Sequence, residues 1–130
     1  MSDEQKSVVI TSASRTAIGS FRGSLKSMKS YELGAVVSKD VIKKSSLLPN
    51  EVDELIMGQV LTGGTGQNPA RQTAINSDIP FEKTAYVINQ VCGSGLRAVA
   101  AGYQAIKSND ANIIIAGGQE SMTNAPHAIN

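Results

Sequence analysis

One cysteine of this sequence lies where a strand and a helix are expected to meet. Cys92 follows the apolar run of residues 85–88 and directly precedes Gly93, Ser94 and Gly95. Glycines let a backbone approach a ligand closely, and a helix N-terminus offers unpaired N–H groups with a partial positive charge that stabilises a thiolate. This setting favours a nucleophilic thiol. The spacing is equally compatible with a small buried hydrophobic residue.

Other residues of chemically useful types give weaker signals. Ser94 lacks the Gly-x-Ser-x-Gly pattern of a serine nucleophile, so helix capping is expected for it. Glu120 follows two glycines and is predicted to bind backbone in a turn, and His127 is predicted to be a loop or packing histidine. One cysteine and one histidine cannot build a metal site or a disulfide framework, so neither is expected.

Composition excludes several classes of function. Twelve Lys and Arg against eleven Asp and Glu give a net charge of +1, without the concentrated basic surface of a nucleic-acid binder. The apolar runs are far too short to span a membrane. The N-terminus has neither the apolar core of a signal peptide nor an Arg-rich amphipathic pattern, so a cytoplasmic protein with a reduced thiol is expected.

Four short apolar runs predict buried strands. None alternates between polar and apolar residues, which is typical of the strands of a parallel sheet covered on both faces. The predicted strands are residues 8–11, 55–61, 85–88 and 113–116.

Three helices are predicted between these strands. The first has Ser30 as N-cap and Glu32 in its first turn, and its inward apolar face is formed by Leu33, Val36, Val37 and Val41. The second begins with Asn68 as N-cap and Pro69 as first helical residue. The third, residues 93–108, is apolar or small nearly all round, which predicts a buried helix. The order β-α-β-α-β-α-β indicates an α/β fold with a parallel or mixed sheet.

Three segments resemble the signatures of the thiolases. The residues around Cys92 are similar to the active-site segment of that family, and the residues after the last predicted strand are similar to its second N-terminal signature. A third match follows the first predicted strand and has Ala17 where proline is usual. The matching segments are residues 89–99, 117–127 and 15–21. Within the family, the sequence is most similar to the bacterial acetyl-CoA acetyltransferase type, also called acetoacetyl-CoA thiolase.

This resemblance implies a role for Cys92 as the nucleophile that accepts an acyl group, with its backbone N–H as an oxyanion-hole donor. It implies an acyltransferase that condenses two acetyl-CoA into acetoacetyl-CoA and CoA, or runs the reverse thiolysis, in fatty acid metabolism. Coenzyme A thioesters are then substrates, no cofactor is required, and the full-length enzyme is a homo-oligomer, a dimer or tetramer.

The resemblance also implies what residues 1–130 lack. They correspond to a partial N-terminal thiolase domain, without the loop region and the C-terminal thiolase domain. The catalytic histidine and the second cysteine of the family lie in the absent part, so the 130-residue chain alone is expected to be inactive. Two alternatives remain open, a degradative 3-oxoacyl-CoA thiolase of broader chain length and a non-catalytic fragment that associates with longer homologous chains.

Overall fold

The computed structural model describes residues 7–129, and helices alternate with the strands of one parallel sheet. The predicted α/β class is confirmed. The elements in chain order are α1 Ser30–Lys44, β1 Glu54–Gly58, α2 Pro69–Asn76, β2 Thr84–Ile88, α3 Ser94–Lys107 and β3 Ile114–Gly118, with short 3-10 turns at Pro49–Glu51 and Met122–Asn124.

Strand β1 is the centre of the sheet, whose order is β2-β1-β3. Glu54 is paired with Thr84, thirty residues further along the chain, and also with Ile114 of β3. The apolar side chains of β1 are at most 2% exposed, because neighbouring strands cover both edges of β1 and helices cover its faces. These side chains are Leu55, Ile56 and Met57. The predicted strand there is confirmed, although it ends at Gly58 rather than continuing to residue 61.

The second helix begins as predicted. The side chain of Asn68 accepts the backbone N–H of Arg71 at 3.1 Å, and Pro69 is the first helical residue. Proline fits there because the first residues of a helix have no internal acceptor for their N–H groups. The third and fourth predicted strands are present as β2 and β3, but the predicted burial is wrong for residues 7–129, in which both strands are partly exposed at the edges of the sheet.

The first predicted strand is wrong. Residues 8–11 form no strand, and residues 7–14 make no backbone hydrogen bond to any other described residue. Side chains hold the segment to α1 instead, for example Ser12, whose hydroxyl donates to the carbonyl of Val41 at 3.0 Å. A cavity of about 470 Å³ is lined by residues 8–14, β3, α1 and α3. Because a strand requires a ladder partner, this β-branched run is not a strand within the described residues.

The N-cap of helix α1 lies one residue earlier in the chain than predicted. Lys29 is the N-cap and Ser30 is the first helical residue, so Ser30 is not the cap. The carboxylate of Glu32 accepts the backbone N–H of Lys29 at 2.7 Å. Ser30 is instead buried in the packing face of the helix.

The buried face of α1 also differs from the predicted one. It consists of mostly small residues, namely Ser30, Gly34, Ala35, Ser38 and Ile42, whereas Val36 is 53% exposed. A Cβ atom on Gly34 would lie 3.0 Å from the Thr73 side chain of α2, so the two helices approach too closely for large residues between them. Two of the predicted core residues, Val37 and Val41, line the cavity instead.

Helix α3 starts directly after the Cys92–Gly93 pair, as predicted, and packs on the sheet through small residues. Ser94, Ala98 and Gly102 are buried, and a Cβ atom on Gly102 would lie 3.2 Å from the Ile114 side chain. The helix was predicted to be buried nearly all round, but Leu96 on another of its faces is 78% exposed. Residues 7–129 therefore do not bury α3 on all sides. No helix in this described part is long and apolar enough to cross a membrane.

Candidate active site

Cys92 lies at the carboxyl edge of the parallel sheet. It comes four residues after the end of β2 and two before the start of α3, and its free thiol is exposed. In parallel α/β sheets, ligands bind outside the carboxyl ends of the strands. The thiol therefore stands where the fold offers both a helix N-terminus and access from solvent.

Glycines set how closely α3 approaches the sheet below Cys92. A Cβ atom on Gly58, the last residue of β1, would lie 2.5 Å from the backbone N of Gly95. A Cβ atom on Gly118, the last residue of β3, would lie 3.3 Å from the Gly95 Cα. Side chains at these positions would push the helix off the sheet, so the glycines fix the position of its first turn.

The turn before Cys92 is closed by two side chains. The Asn89 carboxamide oxygen accepts the Val91 N–H at 2.9 Å. The Ser94 hydroxyl accepts the Gln90 N–H at 2.8 Å and donates to the Val91 carbonyl at 2.6 Å. Ser94 therefore does not act as the predicted N-cap, because Gly93 holds that position and Ser94 reaches back to the turn.

The backbone N–H of Cys92 has no protein acceptor in the part of the chain that the structure describes. Cys92 precedes the N-cap residue Gly93, so its N–H is outside the hydrogen bonding of α3. It can therefore donate to a bound group.

Two buried glutamines join the ends of β1 and β3. Gln119 donates from its amide to the carboxamide oxygen of Gln59 at 2.9 Å, and Thr73 of α2 donates to the Gln119 oxygen at 2.6 Å. Sequence analysis missed this network. A signal was present, because each glutamine directly follows the glycine that ends its strand.

Glu120 binds backbone, as predicted, but in the segment that follows β1 and not in its own turn. Its carboxylate accepts the N–H of Val60 at 2.8 Å and that of Leu61 at 3.2 Å. These contacts fix the chain where it leaves β1. Glu120 is therefore a structural residue at the same sheet edge as Cys92.

His127 lies in an exposed irregular segment after the last 3-10 turn. No hydrogen bond joins it to Cys92 within residues 7–129, which agrees with its prediction as a loop histidine. The same residues contain no group of three metal-ligating side chains.

At the opposite, amino edge of the sheet, Asp53 is the titratable group with the clearest environment. Its carboxylate accepts the N–H of Asn112 at 2.8 Å and of Ile113 at 3.1 Å, and Lys83 lies at 3.5 Å. The Asn112 N–H, together with the Ile113 N–H and the Lys83 charge, holds the pKa of this carboxyl below its ordinary value, while partial burial opposes the shift.

Comparison with known proteins places these features in a family. The chain matches the family model "Thiolase, N-terminal domain" over residues 8–130. It is 55% identical over 121 residues to an acetyl-CoA acetyltransferase of Rhizobium meliloti, covering 93% of this chain and 31% of that protein. It is 52% identical to a probable acetyl-CoA acetyltransferase of Escherichia coli over 124 residues, covering 95% and 32%.

A solved structure is similar in fold as well. The crystal structure of Acat5 thiolase from Ascaris suum in complex with coenzyme A superposes with a TM-score of 0.90 at 45% identity. The match covers 92% of this chain and 31% of that one. The chain thus spans about a third of the length of the curated relatives it matches.

Proposed function

Because this chain belongs to the thiolase family, we propose that Cys92 is the acyl-accepting nucleophile of a thiolase. The observation that carries the proposal is the place of the exposed Cys92 thiol directly before α3, at the carboxyl edge of the sheet. The names of the relatives indicate the substrate class, since they are acetyl-CoA acetyltransferases. The Ascaris suum thiolase was solved with coenzyme A.

In the proposed reaction, the Cys92 thiolate attacks the thioester carbonyl of acetyl-CoA. A new bond forms between Sγ and the carbonyl carbon, and the bond to the coenzyme A sulfur breaks, so that CoA leaves with a proton. The backbone N–H of Cys92 donates to the oxyanion that develops on the carbonyl oxygen. Its lack of a protein acceptor in the described residues supports this role.

The second half of the reaction forms the carbon–carbon bond. A second acetyl-CoA loses a proton from its α-carbon, and this carbon attacks the acyl group on Cys92. The Sγ–carbon bond breaks, which releases acetoacetyl-CoA and restores the thiol. Coenzyme A thioesters are substrates at both stages, so the proposed reaction requires no resident cofactor.

Proton transfer in both steps requires groups beyond Cys92. We assign these to a histidine and a second cysteine in the remaining two thirds that the relatives possess, since the chain matches only their first third. His127 is not assigned this role because it lies in an exposed loop with no bond to Cys92 among the described residues. Residues 1–130 alone should show no turnover, because each positioned acid or base contributes about 10²–10⁴-fold.

We further propose that the complete enzyme assembles with other copies of itself in the cytoplasm. Large apolar side chains on both sides of Cys92 along the chain are exposed, Leu96 at 78% and Val91 at 65%. Exposed apolar clusters of this kind are typical of interfaces. A free thiol nucleophile suits a reducing compartment.

Acyl transfer to Cys92 can be measured directly. The complete polypeptide that contains this segment is incubated with acetyl-CoA, and the modified peptide is located by mass spectrometry. We expect one acetyl group on Cys92 and thiolysis of acetoacetyl-CoA. Cys92→Ser should lower turnover by about 10⁴-fold or more, whereas His127→Ala should leave it unchanged. Normal turnover of Cys92→Ser, or acetylation elsewhere, contradicts the proposal.

A further inference from the structure

Val91, the residue before Cys92, has a backbone conformation that few residues of its type adopt. Its φ angle is +49°, in the left-handed region. This is a small allowed region for L-residues, and a β-branched side chain there is an outlier. The other non-glycine residues of the described chain with positive φ have no β-branch; they are Arg22, Ser46, Asn68, Asp78 and Asn109.

Such a conformation persists only where the surroundings impose it, and here hydrogen bonds do so. The Val91 side chain is 65% exposed, so core packing does not hold it. Its N–H is bound by Asn89 and its carbonyl by the hydroxyl of Ser94. The same hydroxyl binds the N–H of Gln90, so one oxygen atom connects both sides of the turn.

Ser94 is itself fixed. It is 4% exposed, and its backbone packs against Gly58 at the end of β1, where a Cβ atom would overlap it. Through the Ser94 hydroxyl, the end of β1 therefore determines the position of the peptide group that precedes Cys92. A turn that relaxed to negative φ would rotate this peptide and turn the thiol away from the helix N-terminus.

We propose that Ser94 is a positioning residue that holds Val91 in the left-handed conformation and thereby directs the Cys92 thiol. The proposal rests on the proposed function of Cys92 only in that the direction of the thiol then matters for acyl transfer. Ser94 contacts neither the substrate nor the reacting atoms in this account. Its effect passes through two hydrogen bonds to the preceding turn.

The effects of substitutions at positions 94 and 91 should depend on each other. If Ser94 acts by holding a strained Val91, glycine at position 91 should remove the need for it, because glycine adopts positive φ without steric cost. Ser94→Ala should slow acetylation of Cys92 about 10–100-fold, since small misplacements of reacting groups have effects of this size. The double variant Ser94→Ala/Val91→Gly should recover most of the loss.

The experiment compares these variants in the complete polypeptide, with rapid-quench measurement of acetyl-Cys92. Ser108→Ala is the matched control, because Ser108 follows the other end of α3 and its hydroxyl also makes only local contacts, with the Asp110 carboxylate at 2.7 Å and the Ala105 carbonyl at 3.1 Å. It should change the rate less than about twofold. Ser94→Ala should lower kcat and leave KM for acetyl-CoA unchanged.

A second variant keeps the test decisive if Ser94→Ala does not fold. Asn89 is exposed and binds the same turn from its other side, so Asn89→Ala should fold, slow acetylation and be rescued by Val91→Gly. Equal effects of Ser94→Ala and Ser108→Ala overturn the proposal. It is also overturned if Val91→Gly rescues neither variant.

Alkylation of Cys92 by iodoacetamide separates this proposal from the proposed function. The reagent requires no acetyl-CoA, and its rate changes when the exposed thiol of Cys92 is redirected by the turn before it. If alkylation follows the predicted order of variants while acetyl-CoA never acetylates the wild type, the thiolase proposal fails and the role of Ser94 stands. Alkylation at one rate in all variants contradicts the role of Ser94.

Discussion

The two edges of the sheet are joined by different kinds of interaction. At the amino edge, the carboxylate of Asp53 binds the backbone where β3 begins and pairs with Lys83 before β2. At the carboxyl edge, buried amides and close backbone contacts at glycines join β1, β3 and α3. The amino edge is thus held by a partly exposed charge, and the carboxyl edge by packing that leaves no spare space.

This difference indicates at which edge the fold tolerates substitutions. If a partly exposed carboxylate loses a hydrogen-bond partner, water can replace that partner, so the loss of folding free energy is limited. A backbone contact at a glycine has no such alternative, because any side chain must displace the helix. Cys92 is at the rigid edge, which suits a group that must be held in one position. Variants at both edges test this contrast.

Gly58→Ala should have the largest effect. The new methyl group would overlap the backbone of Ser94 and lie 2.5 Å from the Gly95 N, so α3 must move. We expect a loss of about 3 kcal/mol in the free energy of unfolding, measured by urea denaturation. Gly63→Ala is the control, since its nearest neighbour, Pro126 Cγ, would lie 3.6 Å away. Equal losses would show that the carboxyl edge is not tightly packed.

Gln119→Leu should have the next largest effect. It leaves the Gln59 oxygen without its buried donor, which should reduce the free energy of unfolding by about 2 kcal/mol, whereas the Thr73 hydroxyl can still donate to the Pro69 carbonyl at 3.0 Å. Adding Thr73→Val should reduce it by less than the sum of the single losses, because the two residues share one hydrogen bond. Additive losses in urea denaturation would argue against a connected network.

Asp53→Asn at the amino edge should have a smaller effect, about 1 kcal/mol at pH 7. The Asn112 and Ile113 N–H groups bind the same carboxylate oxygen, which the amide oxygen can replace, but the ion pair of Lys83 with the other oxygen is lost. Thermal unfolding at low and high salt measures the change. A loss larger than that of Gly58→Ala would reverse the comparison between the edges.

Acid should weaken the amino edge selectively. The pKa of Asp53 is lowered from 3.8 chiefly by the Asn112 N–H, so its ionised form is favoured by folding. Its stabilising contribution is complete above the unfolded value and is lost as pH falls from about 4 through the folded pKa. The unfolding free energy of Asp53→Asn should therefore fall less between pH 5 and pH 2 than that of the wild type. Parallel pH profiles would contradict this assignment.

The sequence predicted the features that depend on local chemistry. The start of α2 follows from Asn68 and Pro69, the central strand from its continuous apolar run, and the place of Cys92 from a strand end followed by glycines. The sequence also predicted that Glu120 binds backbone groups. The first three depend on residues close together in the chain, whereas the backbone that Glu120 binds, at Val60 and Leu61, is about sixty residues away and was not predicted.

The failures concern partners that are distant in the chain. Residues 8–11 have strand composition, but no other described strand pairs with them. The apolar stripe of α1 was expected to face the core, yet close contact at Gly34 selects small residues for that face. The strained turn at Val91 was missed because valine carries no signal for positive φ, and only the hydrogen bonds of Ser94 and Asn89 explain it.

The spacing of strand pairs has a consequence for the order of folding. β1 is joined to β2 by residues thirty apart, as for Glu54 and Thr84, and to β3 by residues sixty apart, as for Gln59 and Gln119. Closing the longer loop costs about 0.6 kcal/mol more in chain entropy, so β1 and β2 should pair first. The link between Gln59 and Gln119, next to the contact of Gly118 with Gly95, then forms last, when β3 pairs with β1. The surroundings of Cys92 are thus completed at the end of folding, and substitutions in β3 should speed unfolding more than they slow refolding.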